Sequence, residues 1–250
     1  MLLSIITATF NSEKTLSKTI ESLLSQKTTN FEYIIVDGNS TDKTTEIIKS
    51  FEKKFEERNI NYVWISEKDK GIYDAFNKGI DLASGDWISF LGSDDFYLKD
   101  ALKNYCEQIK KLTGHIDLIH SKVKLADRKI ISDTWCWRSF RRRMLIAHVG
   151  AFHHRNFFTT YGNFDTSYRI TGDYEILLRA KDKLKTYWFD KFTAYMSDGG
   201  VSNGNIKMVY REAARAKREN KSVSSFLVTY DYYFWILKFK IKRMLNAATR

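Results

Sequence analysis

Apolar positions along the chain fall into short bursts separated by longer periodic stretches. Leu2 to Phe10 is mostly apolar, interrupted by Ser4, Thr7 and Thr9, as expected of a short buried strand. Asn11-Ser12 then caps a helix in which Leu16, Ile20, Leu23 and Leu24 recur at helical spacing. Phe31 to Val36 is a second β-rich run. It ends in Asp37-Gly38-Asn39-Ser40-Thr41-Asp42, a dense turn signal that opens a helix through Ile47, Ile48 and Phe51. Tyr62 to Ser66 reads as a third strand, and a helix from Ile72 to Ala83 leads into a strand at Trp87-Ile88-Ser89-Phe90-Leu91. Strand and helix alternate through this half, which predicts a mostly parallel sheet with helices on both faces.

The pattern beyond residue 95 is less regular. A helix through Leu102, Tyr105 and Ile109 is followed by an apolar segment, Ile116 to His120, that reads as a strand, and by a further strand or hairpin between Lys122 and Trp137. Ser139 to Leu145 is strongly basic, and its Arg141-Arg142-Arg143 cluster is expected on the surface. A helix should start near Gly172-Asp173-Tyr174-Glu175 and carry Ile176, Leu177 and Leu178, with a last strand at Thr186 to Tyr195. No internal repeat or low-complexity linker is visible.

With 250 residues the chain favours a single α/β domain with an appendage. Hydrophobic content of 43% and charged content of 28% exclude a disordered chain. The net charge of +11 suits anionic lipid, phosphorylated substrates or nucleic acid. Cys106 and Cys136 match no metal spacing and give no disulfide framework, so a reducing compartment is expected. The start of the chain reads as neither a signal peptide nor a spanning helix, and no apolar run is long enough to cross a bilayer.

The chemistry begins just past the Trp87 to Leu91 strand, where Asp94 and Asp95 are adjacent. Neighbouring carboxylates repel, and the mouth of a buried strand desolvates them unless a cation offsets the cost. Mg²⁺ or Mn²⁺ accepts one or two carboxylates and completes its shell with water and substrate phosphate. The pair therefore points to a phosphate-bearing ligand at the carboxyl end of the sheet, where α/β folds hold ligands. On the dipeptide alone, a solvated Asp-Asp turn with an N-cap Asp is the commoner outcome.

Five segments shift that balance: Thr7 to Asn11, Ser22 to Gln26, Tyr33 to Asp42, Asp69 to Gly79 and Gly85 to Asp95. Their order and spacing over the first hundred residues resemble the family 2 glycosyltransferases of the GT-A fold, especially bacterial enzymes that build surface polysaccharides. A weaker match continues from His148 to Gly200. The resemblance implies an α/β GT-A fold, with a mostly parallel central sheet flanked by helices and a C-terminal helical extension. It divides the chain into a transferase domain at 1–205, with a nucleotide-sugar half at 1–100 and an acceptor half at 101–205, and an extension at 206–250.

The resemblance also implies roles. Thr7, Thr9 and Asp37 fall around the nucleotide base, where a carboxylate favours uracil; Asp37 reads equally well as an Asx-turn residue. Lys78 is placed near the pyrophosphate and Asp74 or Asn77 near the ribose or sugar, although a solvated amphipathic helix accounts for the same residues. Asp94 and Asp95 match the metal motif, Asp94 helping to hold the ribose or sugar and Asp95 binding Mn²⁺ or Mg²⁺. Many members carry a further Asp two positions before the first of the pair, where this chain has Gly92.

On the acceptor side, Gly172-Asp173-Tyr174-Glu175 with Arg179 resembles the acidic motif that supplies the catalytic base, which falls on Asp173. Read without the family, Asp173 is an ordinary acidic residue at a helix start. His148, His153 and His154 match a stretch lining the acceptor cleft and are expected to be structural or substrate-contacting rather than metal-ligating. Ser197 to Ser202 resembles a loop near the active site that closes over the donor.

From Phe226 to Arg250 aromatic residues interleave with Lys238, Lys240, Lys242 and Arg243. A basic aromatic helix fits an anionic membrane surface, and a helix docked on the core fits the same pattern. No nucleic-acid module accompanies the charge. The expected activity is inverting transfer of a sugar from a nucleoside-diphosphate sugar, UDP-linked, to a glycan acceptor on a polyprenyl pyrophosphate, in O-antigen or capsule synthesis. The expected place is the cytoplasm, peripheral on the inner face of the bacterial membrane. The alternatives are a sugar nucleotidyltransferase, for which no Gly-rich phosphate loop is seen, and a non-catalytic membrane-associated sugar-nucleotide-binding protein.

Overall fold

Two runs rich in β-branched residues, Leu3–Thr9 (β1) and Phe31–Asp37 (β2), are buried almost throughout because both of their faces are covered. The computed structural model of the chain describes residues 1–126, 130–131, 134–197 and 205–248. β1 lies parallel to β2 on one side and to β4 (Trp87–Phe90) on the other, and β2 lies parallel to β3 (Tyr62–Ser66). Adjacent residues of β1 point to opposite faces. Ile5 joins a core with Leu16, Ile20 and Leu23 of α1 (Leu16–Leu24), whereas Ile6 joins one with Tyr73, Phe76 and Ile80 of α4 (Ile72–Leu82). Two short helices, α2 (Thr44–Ser50) and α3 (Glu52–Glu56), bridge β2 to β3.

The second half adds β5 (Phe96–Tyr97), α5 (Ala101–Ile109), β6 (Leu118–Leu125), β7 (Ile130–Ile131), α6 (Trp137–Phe140), β8 (Ala151–His154), α7 (Arg155–Tyr161), α8 (Gly172–Ala180) and β9 (Thr186–Met196). The strands form one sheet in the order β3-β2-β1-β4-β8-β6-β9-β5, with β7 on β6. The helix-flanked α/β sheet expected from the sequence is present and is mixed rather than uniform. It is parallel where strand and helix alternate, but β8 runs antiparallel to both β4 and β6. That pairing joins segments far apart in the chain and leaves no local signature in the sequence. β6 begins later than the Ile116 to His120 segment suggests and pairs antiparallel with β7, as a hairpin does. The rest of the Lys122 to Trp137 prediction includes residues 127–129 and 132–133, outside the described residues.

Two helices follow, α9 (Ile206–Glu219) and α10 (Ser225–Ala248). The Glu212 carboxylate of α9 accepts hydrogen bonds from the backbone N–H groups of Arg169, Ile170 and Thr171 at 2.8, 2.9 and 2.9 Å. α10 turns back on α9 and buries Val228 and Asp231. Asp231, 1% exposed, lies 3.0 Å from Lys217 Nζ and also pairs with Arg142. Burial acts to raise the Asp231 carboxyl, but Arg142 and Lys217 more than offset it and hold it below its ordinary value. The basic segment expected at the surface is thus partly drawn in, with Arg141 and Arg142 half-buried and Arg143 exposed. Among the described residues no helix is long and apolar enough to cross a membrane.

Candidate active site

Strands β1, β2 and β3 finish level with one another. Thr9 pairs in register with Asp37, and Asp37 with Ser66. The loops after β1 and β4 meet where Ser12 Oγ lies 2.9 Å from Ser93 Oγ. Thr7 is buried and accepts the Tyr33 hydroxyl at 3.1 Å, whereas the buried Oγ1 of Thr9 has no partner among the described residues. Asp37 is fully buried. Its carboxylate accepts the Ser40 N–H at 3.0 Å, the Ser66 hydroxyl at 2.6 Å and the Ser40 hydroxyl, so its oxygens organise the turn that closes β2.

Asp94 and Asp95 follow β4 at the same edge. Asp95 is 9% exposed, and its Oδ1 accepts the Ser197 N–H at 2.9 Å. Its carbonyl accepts the Thr19 hydroxyl at 2.7 Å, and the Ser197 hydroxyl donates to the Asp94 carbonyl at 2.6 Å. The end of β9 and helix α1 together fix this turn. A Cβ at position 92 would stand 2.7 Å from Asp95 Oδ2 and 3.1 Å from Asp94 Oδ1, so the two carboxylates lean over Gly92 into space that a side chain would fill. Burial, with the neighbouring Asp94 charge, pushes the Asp95 carboxyl up to about 7 against the lowering effect of the Ser197 N–H.

A divalent cation would relieve that electrostatic cost. Two hard oxygen donors fit Mg²⁺ or Mn²⁺, which binds through one or two carboxylates with water and phosphate oxygens completing the shell. The described residues hold no group of three or more His, Cys, Asp or Glu that would form a closed metal cage.

The wall beside these strand ends is the β3–α4 connection. Gly71 adopts φ 122°, a conformation that only glycine tolerates without strain, with the Arg169 guanidinium 2.6 Å from where a Cβ would be. Asp69 accepts the Gly71 N–H at 2.8 Å, and Asp74 accepts that of Lys70 at 3.0 Å. Lys78 Nζ is 2.8 Å from Glu67 and 3.8 Å from Asp74, and the Glu67 pairing holds its ammonium above the ordinary value. Asn77 donates to the Phe164 carbonyl and accepts the Phe164 N–H, both at 2.9 Å. The three sequence-selected residues of α4 are therefore engaged in holding this loop and the Phe164 segment.

Asp173 stands in the first turn of α8. Its Oδ1 accepts the Tyr174 N–H at 2.8 Å, and it sits beside the Tyr73 hydroxyl, which donates to the Ile170 carbonyl at 2.7 Å. Burial raises its carboxyl to about 6, with Glu212 adding to the shift and the Tyr174 N–H and Tyr73 hydroxyl opposing it. A cavity of about 390 Å³ opens beside it, with Thr171, Tyr210, Lys217, Arg142 and Trp235 among its lining residues. Asp94 and Asp95 do not line this cavity. Asp173 instead meets Tyr73, in the first turn of α4, the helix that follows β3. Arg179 is a strut: it pairs with Glu175 and donates to the Tyr161 and Asn163 carbonyls at 2.9 and 2.8 Å.

His153 is fully buried among Phe90, Phe157 and Phe158, and burial lowers it to about 3. The His148 ring stacks on Phe90 at 4.8 Å. Both are packing residues beneath the strand that delivers the Asp pair. Of the expected closing loop, Ser197 grips that pair, and Asp198 to Ser202 lie outside the described residues. Sequence reasoning missed Asp69, Arg169 and Glu212, whose partners are backbone groups or come from distant segments.

The sequence model described as glycosyl transferase family 2 matches residues 4–164. The chain belongs to glycosyltransferase family 2. It is 31% identical over 210 residues to a PGL/p-HBAD biosynthesis glycosyltransferase of Mycobacterium bovis, covering 81% of this chain and 79% of that one. It is 35% identical over 127 residues to the amylovoran biosynthesis glycosyltransferase AmsB of Erwinia amylovora, covering 49% and 41%. Among solved structures, S. aureus TarS 1-349 in complex with UDP-GlcNAc matches at a TM-score of 0.66 and 21% identity, over 86% of this chain and 66% of that one. The mannosyltransferase PcManGT of Pyrobaculum calidifontis, in complex with GDP-Man and Mn²⁺, matches at a TM-score of 0.69 and 13% identity, over 99% and 75%. The family 2 chain has the GT-A fold that its motifs implied.

Proposed function

We propose that this family 2 member is a metal-dependent inverting glycosyltransferase that moves a sugar from a UDP-sugar to a hydroxyl of a polyprenyl-pyrophosphate-linked glycan in bacterial surface polysaccharide synthesis, such as O-antigen or capsule. The observation that carries the reading is the Asp94–Asp95 pair, delivered by a buried strand to the carboxyl edge of the sheet and leaning over Gly92. Relatives named for PGL/p-HBAD biosynthesis and amylovoran biosynthesis support the biosynthetic setting. Neighbours of the same fold that bind UDP-GlcNAc, or GDP-Man with Mn²⁺, support the donor class and the cation.

In this reading the nucleotide lies across the strand ends, with Thr7, Thr9 and Asp37 framing the base and the segment of Asp74, Asn77 and Lys78 forming the wall beside the ribose and diphosphate. Asp94 faces the ribose or sugar. Asp95 is the ligand for Mn²⁺ or Mg²⁺, which when bound neutralises charge on the departing diphosphate. Asp173 accepts the proton of the acceptor hydroxyl; the freed oxygen pair forms a bond to the anomeric carbon as the bond from that carbon to the diphosphate oxygen breaks, and the nucleoside diphosphate departs with those electrons. A single displacement inverts the centre. The raised Asp173 pKa suits a base that works near neutrality.

The test is nucleotide release from UDP-sugars in the presence of Mn²⁺ and a lipid-pyrophosphate sugar acceptor. Asp95→Ala should abolish release, and Asp173→Asn should lower kcat by about 10²- to 10⁴-fold while leaving donor binding intact. Full activity in Asp95→Ala overturns the metal assignment, and near-normal turnover in Asp173→Asn overturns the base.

A further inference from the structure

Resting on the acceptor class just proposed, we infer that the cleft between the Arg138–Arg143 segment and α10 binds the phosphate groups of a phosphorylated amphiphile, whose hydrocarbon chain runs along the exposed apolar face of α10. The cleft has a volume of about 540 Å³, with Arg138, Arg141, Arg142 and Arg143 facing Tyr230 and Trp235. Its lining carboxylate, Asp231, is already occupied by Lys217 and Arg142. Among the described residues neither Arg138, Arg141 nor Arg143 is in an ion pair, and Arg141 Nε is buried without a hydrogen-bond partner. Planar guanidinium groups gathered in a half-enclosed cleft match the oxygens of a phosphate or diphosphate.

Two neighbouring features identify the rest of the ligand. Inward, the cleft shares Arg142, Arg143, Asp231 and Trp235 with the cavity that contains Asp173. Outward, Tyr230 and Phe234 also line an apolar depression of about 400 Å³ with Phe226, Tyr233 and Leu237. Phe226, Tyr230, Tyr233, Leu237, Ile241 and Met244 are all exposed. Their spacing puts them on one face of the helix, a stripe of about 27 Å at 1.5 Å per residue. An exposed apolar stripe of this kind beside cationic groups suits hydrocarbon chains and phosphate heads. From Asp173 outward, the surface therefore offers a base for a hydroxyl, arginines for phosphate and an apolar track for a chain, in the order in which a lipid-diphosphate-linked sugar carries those groups.

The test uses the full chain and phosphatidylcholine vesicles containing either a long-chain isoprenyl diphosphate or phosphatidylglycerol at equal surface charge. The wild type should bind the diphosphate vesicles about tenfold more tightly, as bidentate recognition adds to general charge attraction. Arg138→Ala/Arg141→Ala should lose that preference. Arg138→Lys/Arg141→Lys, which keeps the charge and the fold but not the fork, should retain phosphatidylglycerol binding and lose most of the preference. Equal binding of the wild type to both vesicles, or a preference that survives in both variants, overturns the inference. Inorganic diphosphate binding as tightly as the amphiphile would mark a free-phosphate site and overturn the lipid assignment. Binding of a UDP-sugar to the same samples, followed by calorimetry, reports separately on the glycosyltransferase reading.

Discussion

Asp173 holds its proton more tightly in the folded chain than in the unfolded one, because burial raises its carboxyl from 3.8 to about 6. The protonated group stabilises the fold fully below the unfolded value, and that contribution disappears as pH rises through about 6. Tyr73 and Glu212 face it from α4 and α9, and Arg142 and Lys217 share its cavity. Asp173→Asn should therefore be more stable than the wild type by about 1–2 kcal/mol above neutrality, after discounting for partial exposure. The gain should shrink as pH falls through about 6 and vanish only below the unfolded value of 3.8, where the carboxyl is protonated in both states; thermal unfolding above neutrality and at about pH 3 checks this. Wild-type turnover should fall on the acid side with an apparent pKa near 6, read from a pH–rate profile. Asp94, Asp95 and Asp173 were singled out in the sequence by their match to the family's motifs, since an acidic pair after a strand or an acid opening a helix is commonplace by itself. The Asp37–Ser40 turn was one of the two readings that the sequence allowed, whereas the engagement of Asp37 by Ser66 and of Asn77 by Phe164 was not legible: those partners arrive through folding and leave no mark on local spacing.

At the scale of elements, the start of α8 depends on a helix that the sequence placed only in a terminal extension. Glu212 of α9 gathers three backbone N–H groups just before Asp173. Glu212→Ala leaves those donors without their carboxylate partner, and it should lower stability by about 3 kcal/mol in urea unfolding, with Glu212→Gln recovering part of the loss. It should also lower kcat more than the donor KM, because it misplaces the base while leaving the strand ends untouched; steady-state kinetics against donor concentration separates the two. The parallel half of the sheet was readable from alternating apolar bursts and helical spacing. The antiparallel insertion of β8 between β4 and β6 was not, since register between distant strands is set by packing rather than by pattern.

At the scale of the whole molecule, the net charge of +11 and the apolar stripe of α10 act over different ranges. Charge attraction to an anionic surface fades as the screening length shrinks from about 10 Å to a few Å between 0.1 M and 1 M salt. Binding to phosphatidylglycerol vesicles should thus weaken steeply with salt, and Leu237→Glu should remove most of what survives at high salt, as vesicle sedimentation would show. The basic aromatic tail was visible in the sequence, whereas the meeting of its inner face with Arg142 and Lys217 was not, because a lone Asp231 among aromatics gives no hint of a half-buried arginine and a buried lysine as partners.

That ion pair makes α9 a rigid yoke. Lys217 grips α10 at one point on the helix, and Glu212, little more than a turn away, holds the backbone leading into Asp173. A load applied to α10, by whatever surface it rests on, is borne by the same rod that aims the candidate base, so tilting the outer helix away from its seat would first require pulling a buried lysine from a buried aspartate.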